Sequence, residues 1–272
     1  MIPSTQDWPI RTSLGESAMD SLAVEEPLEL RIAFGPAKDR RRMVLTVTMR
    51  TPGHDRELAL GHLAVEGIIR KPEDVLDVSE DTENEIRVSL HPHVTFDPDR
   101  HQRTGYTTSS CGACGKRSIE AVMGTIEPIA ISEWAISTSS LHSLPERVRS
   151  AQPLFAKTGG IHAAALFTRT DELIAVREDV GRHNAVDKVL GSQFERGRWP
   201  LANSLLFVSG RASFELVQKA VVAGVPILAA VGAPSSLAVK MADEAGLTLC
   251  GFVREGRFNV STKPERIVET RK

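Results

Sequence analysis

Strand and helix patterns alternate regularly in the carboxyl-terminal half of the chain, and this alternation restricts the possible folds more than any other feature. Apolar runs at 205–208, 227–231 and 247–253 predict strands, and amphipathic segments at 213–223 and 235–245 predict helices that each end at a glycine. Consecutive strands that are joined through a helix lie parallel in one sheet. The sequence therefore predicts an α/β fold with a parallel β-α-β-α-β unit in this half.

Upstream of that unit the pattern is typical of antiparallel strands. Residues 28–34 and 44–49 alternate apolar and polar side chains on either side of a basic turn at 38–42, which predicts a hairpin with a solvated tip. A helix is expected at 57–69 and a further strand at 86–90. We therefore expect an α+β amino-terminal part with antiparallel strands.

Two further elements are predicted between these regions. A strand hairpin is expected at 162–178 with its turn near Thr170 and Asp171, and a helix from His183 to Leu190 is expected to be closed by Gly191.

The predicted elements divide the chain into three segments. Residues 1–20 are expected to be a disordered tail, because they are polar and contain proline. Residues 21–134 form an amino-terminal subdomain that ends in a cysteine-bearing loop and the helix after it, and residues 135–272 form a carboxyl-terminal α/β subdomain.

Charge and composition exclude several classes of partner. The chain has 33 Lys and Arg against 35 Asp and Glu, so its net charge of −2 provides no broad positive field for a nucleic acid. No run of about 18 uncharged apolar residues could span a bilayer, and the first twenty residues lack the apolar core of a signal peptide. We expect a cytoplasmic protein that binds neither nucleic acid nor membrane.

Three cysteines occur, and two of them form the Cys-x-x-Cys pair Cys111 and Cys114 after a polar stretch typical of a loop. The third, Cys250, lies in an apolar predicted strand and is expected to be a small buried hydrophobe. Three unevenly placed cysteines do not make a disulfide framework, so reduced thiols are expected.

The cysteine pair admits four interpretations: half of a zinc site, a dithiol redox centre, a persulfide carrier or an incidental pair. A structural zinc site normally needs four ligands, and the sequence has no second such pair. A thioredoxin-like centre expects the cysteines directly after a core strand rather than after a polar loop. Lys116, Arg117 and the amino end of a predicted short helix favour a thiolate here. Gly112 and Gly115 either give access to the sulfur or shape a tight turn.

Residues that follow the predicted parallel strands have the chemistry to bind an anion. The segment Ser209-Gly210-Arg211 follows one strand, and Ser235 begins the helix after the next. Helix amino termini at this edge present free N–H groups and the positive end of the helix dipole, which bind phosphate in nucleotide sites. Arg254 and Arg257 follow the last strand and can pair bidentately with phosphate. Ordinary helix caps and solvated arginines also explain these residues.

Long motifs make the chain resemble the FdhD family of formate dehydrogenase accessory sulfurtransferases along nearly all of its length beyond the first twenty residues. The motifs are Ser109-Ser110-Cys111-Gly112-Ala113-Cys114-Gly115, Thr158-Gly159-Gly160-Ile161-His162-Ala163-Ala164-Ala165, Arg177-Glu178-Asp179-Val180-Gly181-Arg182-His183-Asn184-Ala185-Val186-Asp187-Lys188, Val208-Ser209-Gly210-Arg211-Ala212-Ser213 and Ala233-Pro234-Ser235-Ser236-Leu237-Ala238. The resemblance implies a fold similar to that of the cytidine deaminases.

The resemblance implies a cytoplasmic homodimer that accepts sulfur from a cysteine desulfurase. It passes this sulfur to the bis(molybdopterin guanine dinucleotide) form of the molybdenum cofactor, for formate dehydrogenase. By the same resemblance Cys111 carries the persulfide, Cys114 assists, and Phe252-Val253-Arg254-Glu255-Gly256-Arg257 matches the family's cofactor-binding segment. We expect the carboxyl-terminal subdomain to hold the cofactor, with Ser209, Gly210, Arg211 and Ser235 as further contacts, and no permanently bound metal.

Two alternatives remain open. The first is a chaperone that binds the cofactor without moving sulfur. The second is a zinc deaminase, which needs a His-x-Glu followed by Pro-Cys-x-x-Cys. His162-Ala163-Ala164 lacks that glutamate, and the cysteine pair precedes it without a proline, so the residues argue against a deaminase.

Overall fold

The amino-terminal residues form a β-hairpin. In the computed structural model, which describes residues 2–101, 128–129 and 134–269, strands β1 (Thr5–Arg11) and β2 (Ser17–Ala23) pair antiparallel as a separate two-stranded sheet. The structure therefore differs from the disordered tail predicted over 1–20. The turn is closed by the Gly15 N–H, which donates to the carbonyl of Thr12 at 2.9 Å, with Gly15 at φ +82°. The proline and charged residues of this segment obscure its strand signal.

The rest of the amino-terminal half is a four-stranded sheet and the helix that covers it. Its elements are β3 (Glu26–Phe34), β4 (Arg41–Arg50), α1 (Asp55–Val65), β5 (Val75–Thr82), β6 (Glu85–Leu90) and, after the sheet, the short helix α2 (Pro98–His101). The strand order is β4-β3-β6-β5, and β3 with β4 confirms the predicted hairpin. Leu58 and Leu63 of α1 pack in one core with Leu28 and Leu30. The helix ends earlier than predicted, because Gly67 turns the chain with φ +70°.

The carboxyl-terminal half is built on a mixed six-stranded sheet. Its elements are β7 (Ile136–Ser137), α3 (Thr138–Ser150), α4 (Pro153–Thr158), β8 (His162–Thr168), β9 (Leu173–Asp179), α5 (Arg182–Phe194), β10 (Ser204–Val208), α6 (Phe214–Val222), β11 (Ile227–Ala230), α7 (Ser236–Glu244), β12 (Thr248–Arg254), β13 (Arg257–Thr262) and β14 (Ile267–Val268). The strand order is β13-β12-β11-β10-β8-β9. Parallel pairing of β10, β11 and β12 confirms the predicted unit. The predicted β8–β9 hairpin also forms and turns at Asp171. Strands β8 and β13 add antiparallel neighbours on either side.

Helices cover both faces of this sheet. Helices α5, α6 and α7 bury one face through residues such as Val189, Leu216 and Met241. Helix α3 buries the other face through Leu141, in a core that also holds Cys250. Burial raises the pKa of the Cys250 thiol to about 12. This confirms the predicted role of Cys250 as a buried small hydrophobe, which is unsuited to act as a nucleophile at neutral pH.

The two halves meet where α1 crosses α5. A Cβ atom on Gly61 would lie 1.9 Å from the carbonyl oxygen of Asp187, and one on Gly191 would lie 1.8 Å from that of Glu57. The prediction that Gly191 closes its helix is wrong, because α5 continues to Phe194. Gly191 instead lies inside the helix, where the absence of a side chain lets the two backbones touch. The division of the chain into two subdomains between residues 134 and 135 stays a prediction.

Candidate functional site

A cavity of about 1090 Å³ opens at the carboxyl ends of the parallel strands. Phe207 and Ser209 line it from the end of β10, and Val231 lines it from the end of β11. Residues of α3 and α4 and the loop that leads into β8 form the other walls. Ligands of open α/β sheets bind at this edge, and the volume suits a ligand of nucleotide size or larger.

Helix α3 turns a polar face towards this cavity. The lining residues of the helix recur at helical spacing, and they include Ser139, His142, Ser143, Glu146 and Arg149. The opposite face, with Leu141 and Leu144, is buried. Ser137 caps the amino end of the helix, because its hydroxyl accepts the N–H of Ser140 at 3.0 Å. The sequence analysis missed this helix, although its leucine spacing and its capping serine were visible signals.

Two arginines of α3 differ in their surroundings. Arg147 donates to the carboxylate and the carbonyl of Asp171, both at 2.6 Å, and lies over the Phe167 ring, so its charge is already paired. Arg149 is exposed, and its guanidinium lies 5.2 Å from the centre of the Phe155 ring. Arg149 and Phe155 both line the cavity. An anion or a planar group that enters would meet a cation backed by an aromatic ring.

His162 and the turn after β10 form one wall of the cavity. The Ser209 hydroxyl accepts the N–H of Ala163 at 2.9 Å, which leaves its own O–H able to donate to a ligand. A Cβ atom on Gly210 would lie 3.6 Å from both the His162 ring and the Arg182 side chain. Burial, and then the nearby Arg182 charge, lower the pKa of His162. A neutral imidazole here presents one donor and one acceptor nitrogen to a ligand.

The turn that carries Arg182 is held by buried polar contacts. Asp179, at the end of β9, accepts bonds from the Lys188 ammonium at 2.7 Å and from the backbone N–H groups of Gly181 at 2.8 Å and Thr51 at 3.1 Å. Burial raises the pKa of the Asp179 carboxyl, an effect that the Lys188 ammonium and the other donors oppose. Because Thr51 lies in the amino-terminal half, this cluster also joins the two halves.

The residues of the predicted cofactor-binding segment 252–257 lie in different environments. Val253 is buried in the core, whereas Arg254, Glu255, Gly256 and Arg257 are exposed. Of these residues Glu255 lines the cavity. Arg254 and Arg257 are cross-strand partners at the β12–β13 turn, beside the cavity mouth that Glu255 marks. The Arg257 guanidinium lies 5.8 Å from the centre of the Phe252 ring, and Phe252 adopts φ +55°.

The other predicted cofactor contacts also lie in different places relative to the cavity. Ser209 reaches the cavity, and Gly210 lies against His162 in its wall. Arg211 is exposed and packs its backbone and stem close to Gly232. Ser235 is the cap of α7, since its hydroxyl accepts the N–H of Ala238 at 3.3 Å. Ser235 therefore acts as an ordinary helix cap in the structure.

Cys111, Cys114 and the helix predicted after them lie outside the described residues. Within residues 2–101, 128–129 and 134–269, no group of three or more His, Cys, Asp or Glu side chains could hold a metal ion. In those same ranges no helix is long and apolar enough to cross a membrane.

The fold and the site define an α/β protein with a ligand-sized polar cavity at the carboxyl ends of its parallel strands. The chain belongs to the FdhD/NarQ family, whose sequence profile matches residues 23–268. It is 50% identical over 261 residues to the sulfur carrier protein FdhD of Mycobacterium tuberculosis, covering 91% of this chain and 92% of that protein. It is 45% identical over 251 residues to the sulfur carrier protein FdhD of Sulfolobus acidocaldarius, covering 92% of each. A solved structure described as a formate dehydrogenase accessory protein, from Desulfotalea psychrophila, matches with a TM-score of 0.73 and 27% identity, over 97% of this chain and 98% of that one.

Proposed function

We propose that this protein is a sulfur carrier that loads persulfide sulfur on Cys111 and delivers it to the molybdenum cofactor of formate dehydrogenase. The observation that carries the proposal is membership of the FdhD/NarQ family, with relatives named sulfur carrier protein at 45% to 50% identity over most of the chain. Formate dehydrogenase as the recipient is supported by the accessory protein that shares the fold. A cytoplasmic location is part of the proposal, because thiols stay reduced there.

Loading on Cys111 is a thiol exchange step. The Cys111 thiolate attacks the outer sulfur of a cysteine desulfurase persulfide, a new sulfur–sulfur bond forms on Cys111, and the desulfurase cysteine leaves as a thiolate. No external oxidant or reductant is needed for this transfer. Lys116 and Arg117 favour the attacking thiolate, and Cys114 assists as the second thiol of the pair. Cys250 is excluded from this role by its burial and by its raised pKa.

The cavity supports binding of the guanine nucleotide part of the cofactor. The Ser209 hydroxyl and the exposed Arg149 offer donors to phosphate oxygens, and the Glu255 carboxylate can accept from the N–H groups of guanine. Arg254 and Arg257 would add positive charge at the rim. The molybdenum cofactor would supply the metal centre that receives the sulfur, and Ser209, Arg149, Glu255, Arg254 and Arg257 would hold and orient its nucleotide part.

Intact mass after incubation with a cysteine desulfurase and cysteine tests the proposal. We expect one added sulfur on the parent protein, none on Cys111→Ala, and unchanged loading on the matched control Cys250→Ala. Sulfur confined to Cys250, or no added sulfur, would contradict the proposal. A protein that binds guanine nucleotide but never gains sulfur would instead be a cofactor-binding chaperone.

A further inference from the structure

We propose that residues 5–23 form an arm that docks on the outer face of β4 in a second copy of this chain. This inference goes beyond sulfur transfer, and it assigns a surface to the homodimer expected from the family resemblance. The match to the family profile begins at residue 23, where the arm ends.

The arm exposes apolar side chains on both faces, since Met19, on the face opposite Trp8, is 64% exposed. In the β1–β2 register Trp8 pairs with Asp20, Ile10 with Ala18 and Leu22 with Gln6, so these side chains share a face. Trp8 is 54% exposed and Leu22 is 43% exposed. A lone two-stranded hairpin is at best marginally stable in water, so this one needs a cover for that face. In its own chain β2 lies against the short helix α4, and the Trp8 face remains open.

The outer face of β4 offers a matching surface. Strand β4 is an edge strand, and Arg42, Val44 and Met49 pair with alternate residues of β3 whose intervening neighbours are buried beneath α1. These three side chains therefore project away from the core. Val44 is 46% exposed and Met49 is 48% exposed, and Arg42 beside them is exposed as well. The surface is a strip of apolar β4 side chains with Arg42 at one end, and the ion pair of Arg31 and Glu29 on β3 lies beside it on the same face.

The charges of the two surfaces are opposite. The arm carries Asp7, Glu16 and Asp20 against a single arginine, Arg11, and Asp20 lies directly beside Trp8. The turn before β4 and the start of that strand carry the exposed Lys38, Arg41 and Arg42, besides Arg40, against the single acid Asp39. Acidic and basic surfaces of this kind attract, and like charges in their place would repel.

A second copy is the partner that these observations favour, because the chain itself carries both surfaces. Each copy would place its arm on the β4 outer face of the other, which gives two identical contacts around a two-fold axis. Closed two-fold pairing covers both exposed surfaces at once and leaves neither open to further association.

A charge exchange tests the proposal. Glu16→Lys with Asp20→Lys makes the arm basic, and Arg41→Glu with Arg42→Glu makes the β4 surface acidic. We expect the parent to sediment as a dimer in analytical ultracentrifugation, and each variant alone to dissociate with a Kd raised by about tenfold or more. An equimolar mixture of the two variants restores the dimer, because opposite charges meet in both contacts of the mixed pair. In one contact the basic arm lies on the acidic β4 surface, and in the other the unchanged acidic arm lies on the unchanged basic β4 surface.

The mixture also shows that the variants are folded. Arg169→Glu with Glu172→Lys, at the exposed turn between β8 and β9, is the control and leaves the dimer unchanged. A monomeric parent, either variant dimerising like the parent, or a mixture that stays monomeric would overturn the proposal. Persulfide loading on Cys111 is measured in the same samples. If the protein gains no sulfur but the variants dimerise as expected, only the sulfur-transfer proposal is contradicted. If the protein gains sulfur but the mixed variants do not dimerise, only the arm proposal is contradicted.

Discussion

Gly61 of α1 and Gly191 of α5 lie at a crossing where the two helix backbones touch. Each glycine faces a carbonyl oxygen of the other helix at a distance that a Cβ atom cannot occupy. The amino-terminal sheet and the carboxyl-terminal sheet are therefore joined by direct helix contact.

Gly191→Ala is expected to lower the free energy of unfolding by about 1 to 3 kcal/mol or more, because the added methyl group forces the helices apart. Urea unfolding measures this change. Gly160→Ala is the control, since its Cβ would lie 3.7 Å from the nearest atom, the carbonyl oxygen of Thr158. Equal midpoints for Gly191→Ala and the parent would show that the crossing is looser than the structure has it.

Glu57 is expected to make stability depend on acidic pH. Burial alone raises its pKa, but the Arg177 guanidinium and then His54 lower it to about 2, from an ordinary value of 4.5. Because the pKa is lower in the folded state, this carboxylate stabilises the fold above pH 4.5, and that contribution is lost as the pH falls towards 2. Glu57→Gln should remove about 1 to 3 kcal/mol at pH 7 and flatten the acid dependence, an estimate reduced for partial exposure. Unfolding measured between about pH 2 and about pH 7, a range that includes both the folded and the ordinary pKa, tests this against Glu172→Gln, an exposed control.

The buried pair of Asp187 and Lys219 is expected to behave as a unit. The Lys219 ammonium lies 2.7 and 2.9 Å from the two carboxylate oxygens. Burial lowers the pKa of Lys219, but Asp187 and Glu215 raise it by more. Asp187→Ala leaves a buried cation without its closest partner and should cost about 3 to 5 kcal/mol. Asp187→Leu combined with Lys219→Met should cost less than the single change. A double variant less stable than Asp187→Ala would contradict this coupling.

Arg149, Arg254 and Arg257 are expected to contribute to guanine nucleotide binding. Each lost charged hydrogen bond costs about 1.5 to 3 kcal/mol, so Arg149→Ala should weaken binding of GDP about tenfold or more, and Arg254→Ala with Arg257→Ala by on the order of a hundredfold. Isothermal titration measures both, with the exposed Arg169→Ala as control. Persulfide loading on Cys111 should stay intact in all of these variants. Binding equal to the parent in the double variant would make Arg254 and Arg257 solvated surface groups.

The parallel unit could be predicted because its signals are local. Strands β10 and β11 are buried along their whole length, so they carry continuous apolar runs, and each following helix ends at a glycine. The β3–β4 hairpin was also predictable, because its alternation of apolar and polar residues follows from one covered face. The cysteine pair and the family motifs likewise depend only on the order of residues.

Only the tertiary structure decided how distant residues combine. Local sequence indicated a helix end at Gly191, but contact with α1 explains why a glycine stands inside α5. His162, Arg182 and Gly210 meet because β8 pairs with β10 while α5 begins beside them, and α3 adds Arg149 from another segment. Arg254 and Glu255 are adjacent in sequence, yet only Glu255 lines the cavity. These outcomes depend on packing between segments far apart in the chain, and local spacing carries no information about such contacts.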